Sequence, residues 1–475
     1  MKFNHLLLVL CIAFVACNND LDIVPDNTEK NSVENVLATD SVKVNELEIN
    51  NILKSVLNKP ETRANNFTME TISDEEGNPL IYVVNYENNG GFVLISATKN
   101  YFPVLAYNET GNFDLNTQKP LGLNQWQNSI EQNIATSQDL PADKKHVYKT
   151  IWKQFEIKEP QQISAQSRAI ESSEEYLEAQ SIAMNKRMEL QSQGYEIYEI
   201  TEEITGNASL DNEIRDYARY NIYPVYEEYW DVLSFVAYNP YVDEYTSVPN
   251  FVNNIWDQGP TISDPTGNLQ YNSEFPIYNS SNGKSPVGCG GLATAKVMHY
   301  YQYPTYFNWA DMPSNRPTTT ICSFLRQVAE ACNSVYGAQT TTNQEDCLQA
   351  LRYYGYSGNK ASHNAERTWN NIKQRKPVMM RGQTSEPGSG HAWVATGGTY
   401  TFYDVSYELW TFYSDTYFKC MMEYPDIYQK TYMFYMNWGW GSGYDGFYLD
   451  EETGDPGTHL LYTNRSNIYD ITPNN

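Results

Sequence analysis

Apolar and polar positions along this chain fall into short runs before they fall into long ones. Ile81-Tyr82-Val83-Val84 and Phe92-Val93-Leu94-Ile95 are continuous apolar stretches split by Asn88-Asn89-Gly90-Gly91. Short runs rich in β-branched and aromatic residues around an Asn/Gly cluster predict a hairpin. Pro103-Val104-Leu105-Ala106-Tyr107 continues this small sheet, and Thr110-Gly111-Asn112 closes it with a turn. Helical spacing follows at residues 121–135 and 172–192, where Ser172 and Glu175 have the spacing of a capping box. Residues 321–335 predict a further helix and residues 432–436 a strand.

These patterns divide the chain. Residues 1–17 place Lys2 before an apolar run too short to span a bilayer as a helix, which is the form of an export signal. The run ends Phe14-Val15-Ala16-Cys17 and turns polar at once with Asn18, Asn19 and Asp20. A cysteine directly after a small residue resembles a bacterial lipobox and makes Cys17 a candidate lipid anchor; an ordinary cleaved signal peptide is the alternative. Residues 18–45 are a polar, acidic tether, and 46–135 a small α+β domain. Residues 136–244 form an acidic, glycine-poor connector, helical or partly flexible. At 245 the composition changes to Gly, Pro, Trp and Tyr, and residues 245–475 carry the candidate chemistry.

A length of 475 residues fits two or three domains. The formal charge of −26 excludes a nucleic-acid partner, because nothing here could neutralise a run of phosphates. It suits a soluble protein exposed to the cell exterior. Beyond Cys11 and Cys17, five cysteines remain, so at least one thiol lacks an intrachain partner. Cys322 and Cys332 share one predicted helix; ten residues of helix rise about 15 Å, beyond the roughly 7 Å limit for a disulfide. No Cys/His spacing suits zinc, and the chemistry below needs neither metal nor organic cofactor.

Ser285-Pro286-Val287-Gly288-Cys289-Gly290-Gly291-Leu292-Ala293-Thr294-Ala295 reads as a turn entering a helix that ends before Pro304. A cysteine at a helix N-terminus meets unpaired N–H groups and the positive end of the dipole, which favour its nucleophilic thiolate. A buried structural cysteine on a glycine-rich turn fits this motif alone equally well. His391, in Gly388-Ser389-Gly390-His391-Ala392-Trp393-Val394, falls where a glycine segment feeds a strand, a place for a base facing a cleft or for a structural histidine. Asn437 and Trp438, in Met436-Asn437-Trp438-Gly439-Trp440-Gly441, could orient and shield an imidazole, or fill a core. Gln258, in Trp256-Asp257-Gln258-Gly259, is a candidate oxyanion donor. The order Gln, Cys, His, Asn-Trp is that of papain-like thiol proteases.

Over residues 245–450 the chain resembles the streptopain family of bacterial papain-like cysteine proteases. The resemblance rests on Gln258-Gly259, Val287-Gly288-Cys289, Tyr300-Tyr301-Gln302-Tyr303-Pro304, Ser334-Val335-Tyr336-Gly337, Lys376-Pro377-Val378, Gly390-His391-Ala392, Asn437-Trp438-Gly439-Trp440-Gly441 and Asp445-Gly446-Phe447-Tyr448 in matching order. It implies an α+β, papain-like catalytic domain of two subdomains, with the nucleophile at a helix N-terminus and the histidine on a β-sheet subdomain. It implies Cys289 as nucleophile, His391 as base, Gln258 as oxyanion donor, and Asn437 with Trp438 as support of the histidine. It also implies acceptance of bulky hydrophobic residues one place before the cleaved residue. Gly90-Gly91-Phe92-Val93-Leu94-Ile95-Ser96-Ala97 resembles the family's inhibitory propeptide, so residues 46–135 become a small α+β propeptide domain and an intramolecular inhibitor.

The expectation is therefore a secreted cysteine endopeptidase made as a zymogen, acting on proteins or peptides and touching membrane only through a lipid at Cys17. The loop at residues 110–116 would cover the cleft and hold His391 away from Cys289. Activation cleavage would fall in the connector, at Lys186-Arg187 or near Asn239-Pro240. Two rival readings are a non-proteolytic acyl transferase on the same fold and a non-enzymatic surface-binding lipoprotein.

Overall fold

The computed structural model describes residues 42–56, 66–156, 174–238, 244–259, 262–279, 281, 283–382, 390–414, 417–450 and 465–474. Near its N-terminus Asn88 and Asn89 take left-handed φ angles of 58° and 55°, a conformation asparagine tolerates better than most residues. The turn they form joins the predicted hairpin. After helix α1 (Glu46–Val56), strands β1 (Phe67–Ser73), β2 (Pro79–Tyr86), β3 (Phe92–Ser96) and β4 (Val104–Asn108) make an antiparallel meander. Helix α2 (Leu121–Ala135) follows as its spacing predicts, then α3 (Ala142–Lys153). Leu123, Trp126, Ile130 and Ile134, spaced as one face of α2, are all buried.

The stretch expected to be a helical or partly flexible connector is helical in large part and packed. It holds α4 (Glu174–Ser192), β5 (Glu196–Glu199), α5 (Ala208–Asn221), α6 (Trp230–Leu233), β6 (Phe235–Tyr238) and, after it, β7 (Glu244–Val248). Phe235, Val236, Ala237 and Tyr238 are fully buried, because β6 pairs on one side with β5 and on the other with a long ribbon described below. Acidic composition hid this, since most of the acids lie outside while Tyr176, Ile197, Ile214, Tyr226 and Phe235 face inward. Ser172 of the expected capping box lies outside the described residues.

This packing corrects one expectation about activation. Arg187 lies within α4 and is buried, donating to Glu199 at 3.0 Å and to the carbonyls of Val232 and Ser234. Lys186-Arg187 is therefore no exposed cleavage site. Asn239-Pro240 lies outside the described residues.

The C-terminal part has two cores. Helices α7 (Cys289–Tyr301), α8 (Thr319–Ala331) and α9 (Gln344–Tyr353) pack around Val297, Phe324, Leu325, Val328 and Leu351. The sheet side consists of β8 (Tyr356–Ser362), α10 (Ala365–Lys373), β9 (Val378–Gly382), β10 (His391–Phe412), β11 (Phe418–Asn437), β12 (Gly446–Leu449) and β13 (Ser466–Pro473). Strands β10 and β11, of 22 and 20 residues, form one long antiparallel ribbon. The sheet runs β1-β2-β3-β4-β12-β11-β10-β9-β13-β8, so the N-terminal meander and the C-terminal strands share it through Tyr107↔Phe447 and Ala106↔Tyr448.

Cys289, Cys322, Cys332, Cys347 and Cys420 are all free thiols. Cys332 caps α8 rather than lying within it.

Candidate active site

Gly288 precedes α7 with φ +89°, a conformation that favours glycine, and a Cβ there would meet Thr340 at 2.7 Å. The turn it makes sets Cys289 as the first residue of α7. Gly290 lets a neighbouring wall close in: a Cβ would come within 2.9 Å of Thr342 and 3.0 Å of the Cys347 sulfur. The small residues after Cys289 thus serve close approach, as the sequence suggests.

His391 opens β10 and is buried. Burial alone would raise the Cys289 thiol, but hydrogen bonding and positive charge from His391, with the backbone N–H groups of Ala392 and Gly290, bring it below its ordinary value. The predicted pair therefore meets, thiol to imidazole, and the thiol is more acidic than an ordinary cysteine. Gln258 sits alongside, its carbonyl accepting from the Val287 N–H at 2.9 Å, two residues before the nucleophile.

The support of the histidine differs from expectation. His391 Nε2 lies 3.2 Å from the backbone carbonyl of Trp438, and its ring stacks on the Trp438 and Trp393 indoles at centroid distances of 6.4 and 6.0 Å. Asn437 points elsewhere: its Nδ2 donates to the Asn254 carbonyl at 2.8 Å, and its Oδ1 accepts from Lys296 Nζ. Trp438 thus holds the imidazole with main chain and ring, while Asn437 is taken by a buried cation. An amide side chain can serve only the partners its backbone position reaches, and Lys296 is the stronger donor.

Lys296, two turns along α7 from Cys289, is 1% exposed. It also donates to the Asn254 carbonyl at 3.2 Å, and Asp445 and Asp257 lie near enough to favour its charge. Desolvation acts on all three. It brings Lys296 down to about 8, raises Asp445 to about 7 and raises Asp257 to about 6. Asp445 accepts from the Trp438 N–H at 3.0 Å, and Asp257 accepts from Gly259 and Ile262 at 2.7 and 2.8 Å. The cluster therefore ties the nucleophile helix to the backbone that holds His391 and to the turn that carries Gln258. Sequence reasoning missed these residues. The available signal was a single lysine in the otherwise small and apolar run Leu292-Ala293-Thr294-Ala295-Lys296-Val297-Met298.

The N-terminal segment reaches the same place. Gly122, at the start of α2, lies against His391 and Trp438: a Cβ there would stand 2.5 Å from the imidazole and 3.0 Å from the indole. Trp126 Nε1 donates to the Leu449 carbonyl at 3.1 Å, and Asn108 donates to that of Asp445 at 2.7 Å. The loop before α2 packs on the turn beyond Trp440, through Phe113 on Tyr444 and Gly111 on Ser442 and Gly443. It does not hold His391 away from Cys289; the helix start covers the imidazole while the two residues stay together. Among the described residues no group of His, Cys, Asp and Glu could hold a metal ion.

Two family models match the chain. The Spi protease inhibitor model matches residues 41–134. The Peptidase C10 family model matches residues 305–448, which include His391, Asn437 and Trp438 and begin after Gln258 and Cys289.

The chain carries a Peptidase C10 domain behind a Spi-type inhibitor segment.

This C10 peptidase is a cysteine protease made as a zymogen, with a Spi-type inhibitor in the same chain. Among solved structures, a mutant fragment of prointerpain A from Prevotella intermedia is similar with a TM-score of 0.43 and 13% identity, covering 85% of this chain and 98% of that one. Active wild-type interpain A, a cysteine protease of the same organism, gives a TM-score of 0.31 and 17% identity, covering 47% of this chain and 94% of that one. No curated protein matches the C10 peptidase described here.

Proposed function

We propose that this C10 peptidase is an exported endopeptidase with Cys289 as nucleophile and His391 as acid–base partner. The observation that carries the reading is the Cys289 thiol at the start of α7, lowered by His391. The thiolate attacks a peptide carbonyl and His391 gives its proton to the leaving amine. Water, activated by His391, then hydrolyses the thioester and regenerates the thiol. The Cys289 N–H and the Gln258 side chain receive the oxyanion in both steps. The N-terminal segment inhibits by occupying the space above His391, not by separating the pair. Supporting this are the Gly122 contact and the strand pairing of β4 with β12.

The test compares full-length protein and its Cys289→Ala variant on casein, with N-terminal sequencing of every product. New casein termini only with Cys289 intact support the reading, and sequencing the enzyme's own fragments gives its processing sites. Casein cleavage by Cys289→Ala would end it.

The export signal and Cys17 support attachment to the bacterial envelope by lipid, with release after processing. Metabolic labelling with a fatty acid, lost in Cys17→Ser, is the expected result; equal labelling of both would exclude the anchor.

A further inference from the structure

A groove of about 510 Å³ has a lining that includes Asn333, Val335, Thr341, Thr342, Asp346 and Arg381, and it touches the chain neighbours of Cys289 and His391. Its two walls belong to the two halves of the site. On one, Thr342 packs on Gly290, the residue after the nucleophile. On the other, Arg381 in β9 is the cross-strand partner of Ala392, the residue after His391. Arg381 Nη2 would lie 2.8 Å from a Cβ at Gly390, so the guanidinium rests on bare backbone directly before the base. A peptide whose scissile carbonyl reached Cys289 would run close to this groove, near enough for one of its side chains to enter.

The lining is polar, with Val335 the sole apolar side chain among these six. Arg381 is half-buried, and among the described residues no hydrogen bond or ion pair engages its guanidinium. The carboxylate across the groove, Asp346, already accepts from Asn333 Nδ2 at 3.1 Å. A guanidinium at a cleft wall, bonded to no carboxylate among the described residues, can bind one through two parallel N–H groups. The chain's net charge of −26 makes this cation a local exception in a field that otherwise repels acidic peptides.

We propose that Arg381 selects an acidic side chain, Asp or Glu, at the substrate position that enters this groove. The inference rests on the endopeptidase reading.

The full chain is processed until casein hydrolysis is maximal, and iodoacetamide titration of Cys289 sets the concentration of active enzyme. Fluorogenic peptide libraries then scan each position on both sides of the cleaved bond. At one position Asp and Glu exceed Asn, Gln and Leu in kcat/KM by about tenfold, and the preference shrinks as salt is added. Arg381→Met abolishes the preference, Arg381→Glu turns it toward Lys and Arg, and Asp346→Asn sharpens it. A wild-type library with no acidic preference at any flanking position overturns the inference, whether or not the variants fold. So does an acidic preference that survives Arg381→Met. Failure to hydrolyse casein at any stage of processing counts against the endopeptidase reading itself, and the inference falls with it.

Discussion

Gly122 and His391 are in contact without an intervening side chain, a Cβ on the glycine coming to 2.5 Å from the imidazole. The inhibitor's own backbone is thus the lid over the base. Substituting Gly122 forces either the helix start or the ring to move, and overpacking of this kind costs about 1–3 kcal/mol. Gly122→Val in the full chain should therefore loosen inhibition about tenfold or more, since 1.4 kcal/mol is a factor of ten. The measurement is the rate of Cys289 alkylation in unprocessed protein. An unchanged rate would show that this contact does not restrain the site.

Catalysis should need both members of the pair. Cys289→Ala and His391→Ala are each expected to lower kcat by about 10⁴-fold or more while leaving circular dichroism unchanged. Gln258→Ala should cost less, about 10²- to 10³-fold, as for one oxyanion donor. Comparable losses at all three positions would argue against a separate oxyanion role.

Asn437 is expected to rank well below His391. Because the imidazole is held by the Trp438 carbonyl and the Asn437 amide by Lys296 and Asn254, Asn437→Ala removes an indirect support. A loss of about 10- to 100-fold in kcat is expected, the range for an outer-shell partner. A loss as large as that of His391→Ala would mean that Asn437 turns to the imidazole during turnover.

Lys296 bonds the Asn437 amide and lies near two buried carboxylates whose charge it offsets, so its removal leaves that charge without compensation. Lys296→Met should destabilise the fold by about 3–5 kcal/mol, measured by urea unfolding. Adding Asp445→Asn should recover part of that loss, because it removes one of the stranded charges. Additive losses in the double variant would show that the two residues do not interact.

The same cluster sets a pH dependence. Asp257 and Asp445 have folded-state values of about 6 and about 7, raised from 3.8, so they hold protons that the unfolded chain has released. Their contribution to stability therefore falls as pH rises from 3.8 toward about 7. Lys296, depressed to about 8 from 10.5, acts in the opposite sense above that range, its penalty easing as the folded protein loses its proton first. Thermal melting should decline from about pH 5 to about pH 7, and Asp445→Asn should flatten the decline. A melting temperature rising steadily over that interval would contradict it.

The sequence made the hairpin of β2 and β3, helix α2 and the entry of α7 legible, because each carries its own local signal: an Asn/Gly turn, an apolar stripe, a glycine before a cysteine. The Cys289–His391 pair was legible for the same reason. The role of Asn437 was not, since the choice between His391 and Lys296 as its partner depends on where α7 lies relative to β11. The packing of the connector was hidden because β6 makes sense as a strand only beside the long β10–β11 ribbon. Gly122 showed nothing, because a glycine's importance lies in what stands opposite it.

Strand β4 meets β12 through Tyr107↔Phe447 and Ala106↔Tyr448, with the Tyr107 and Phe447 rings stacked at 4.9 Å. Withdrawal of the N-terminal meander would strip a hydrogen-bonded neighbour from β12 and uncover the Phe447 ring together. Such a border, with backbone groups unmatched and an aromatic ring beside them, is a template for any extended chain that arrives next. Maturation would thus give the enzyme an adhesive margin that its precursor keeps sealed, and the freed meander would be the first candidate to stick to it.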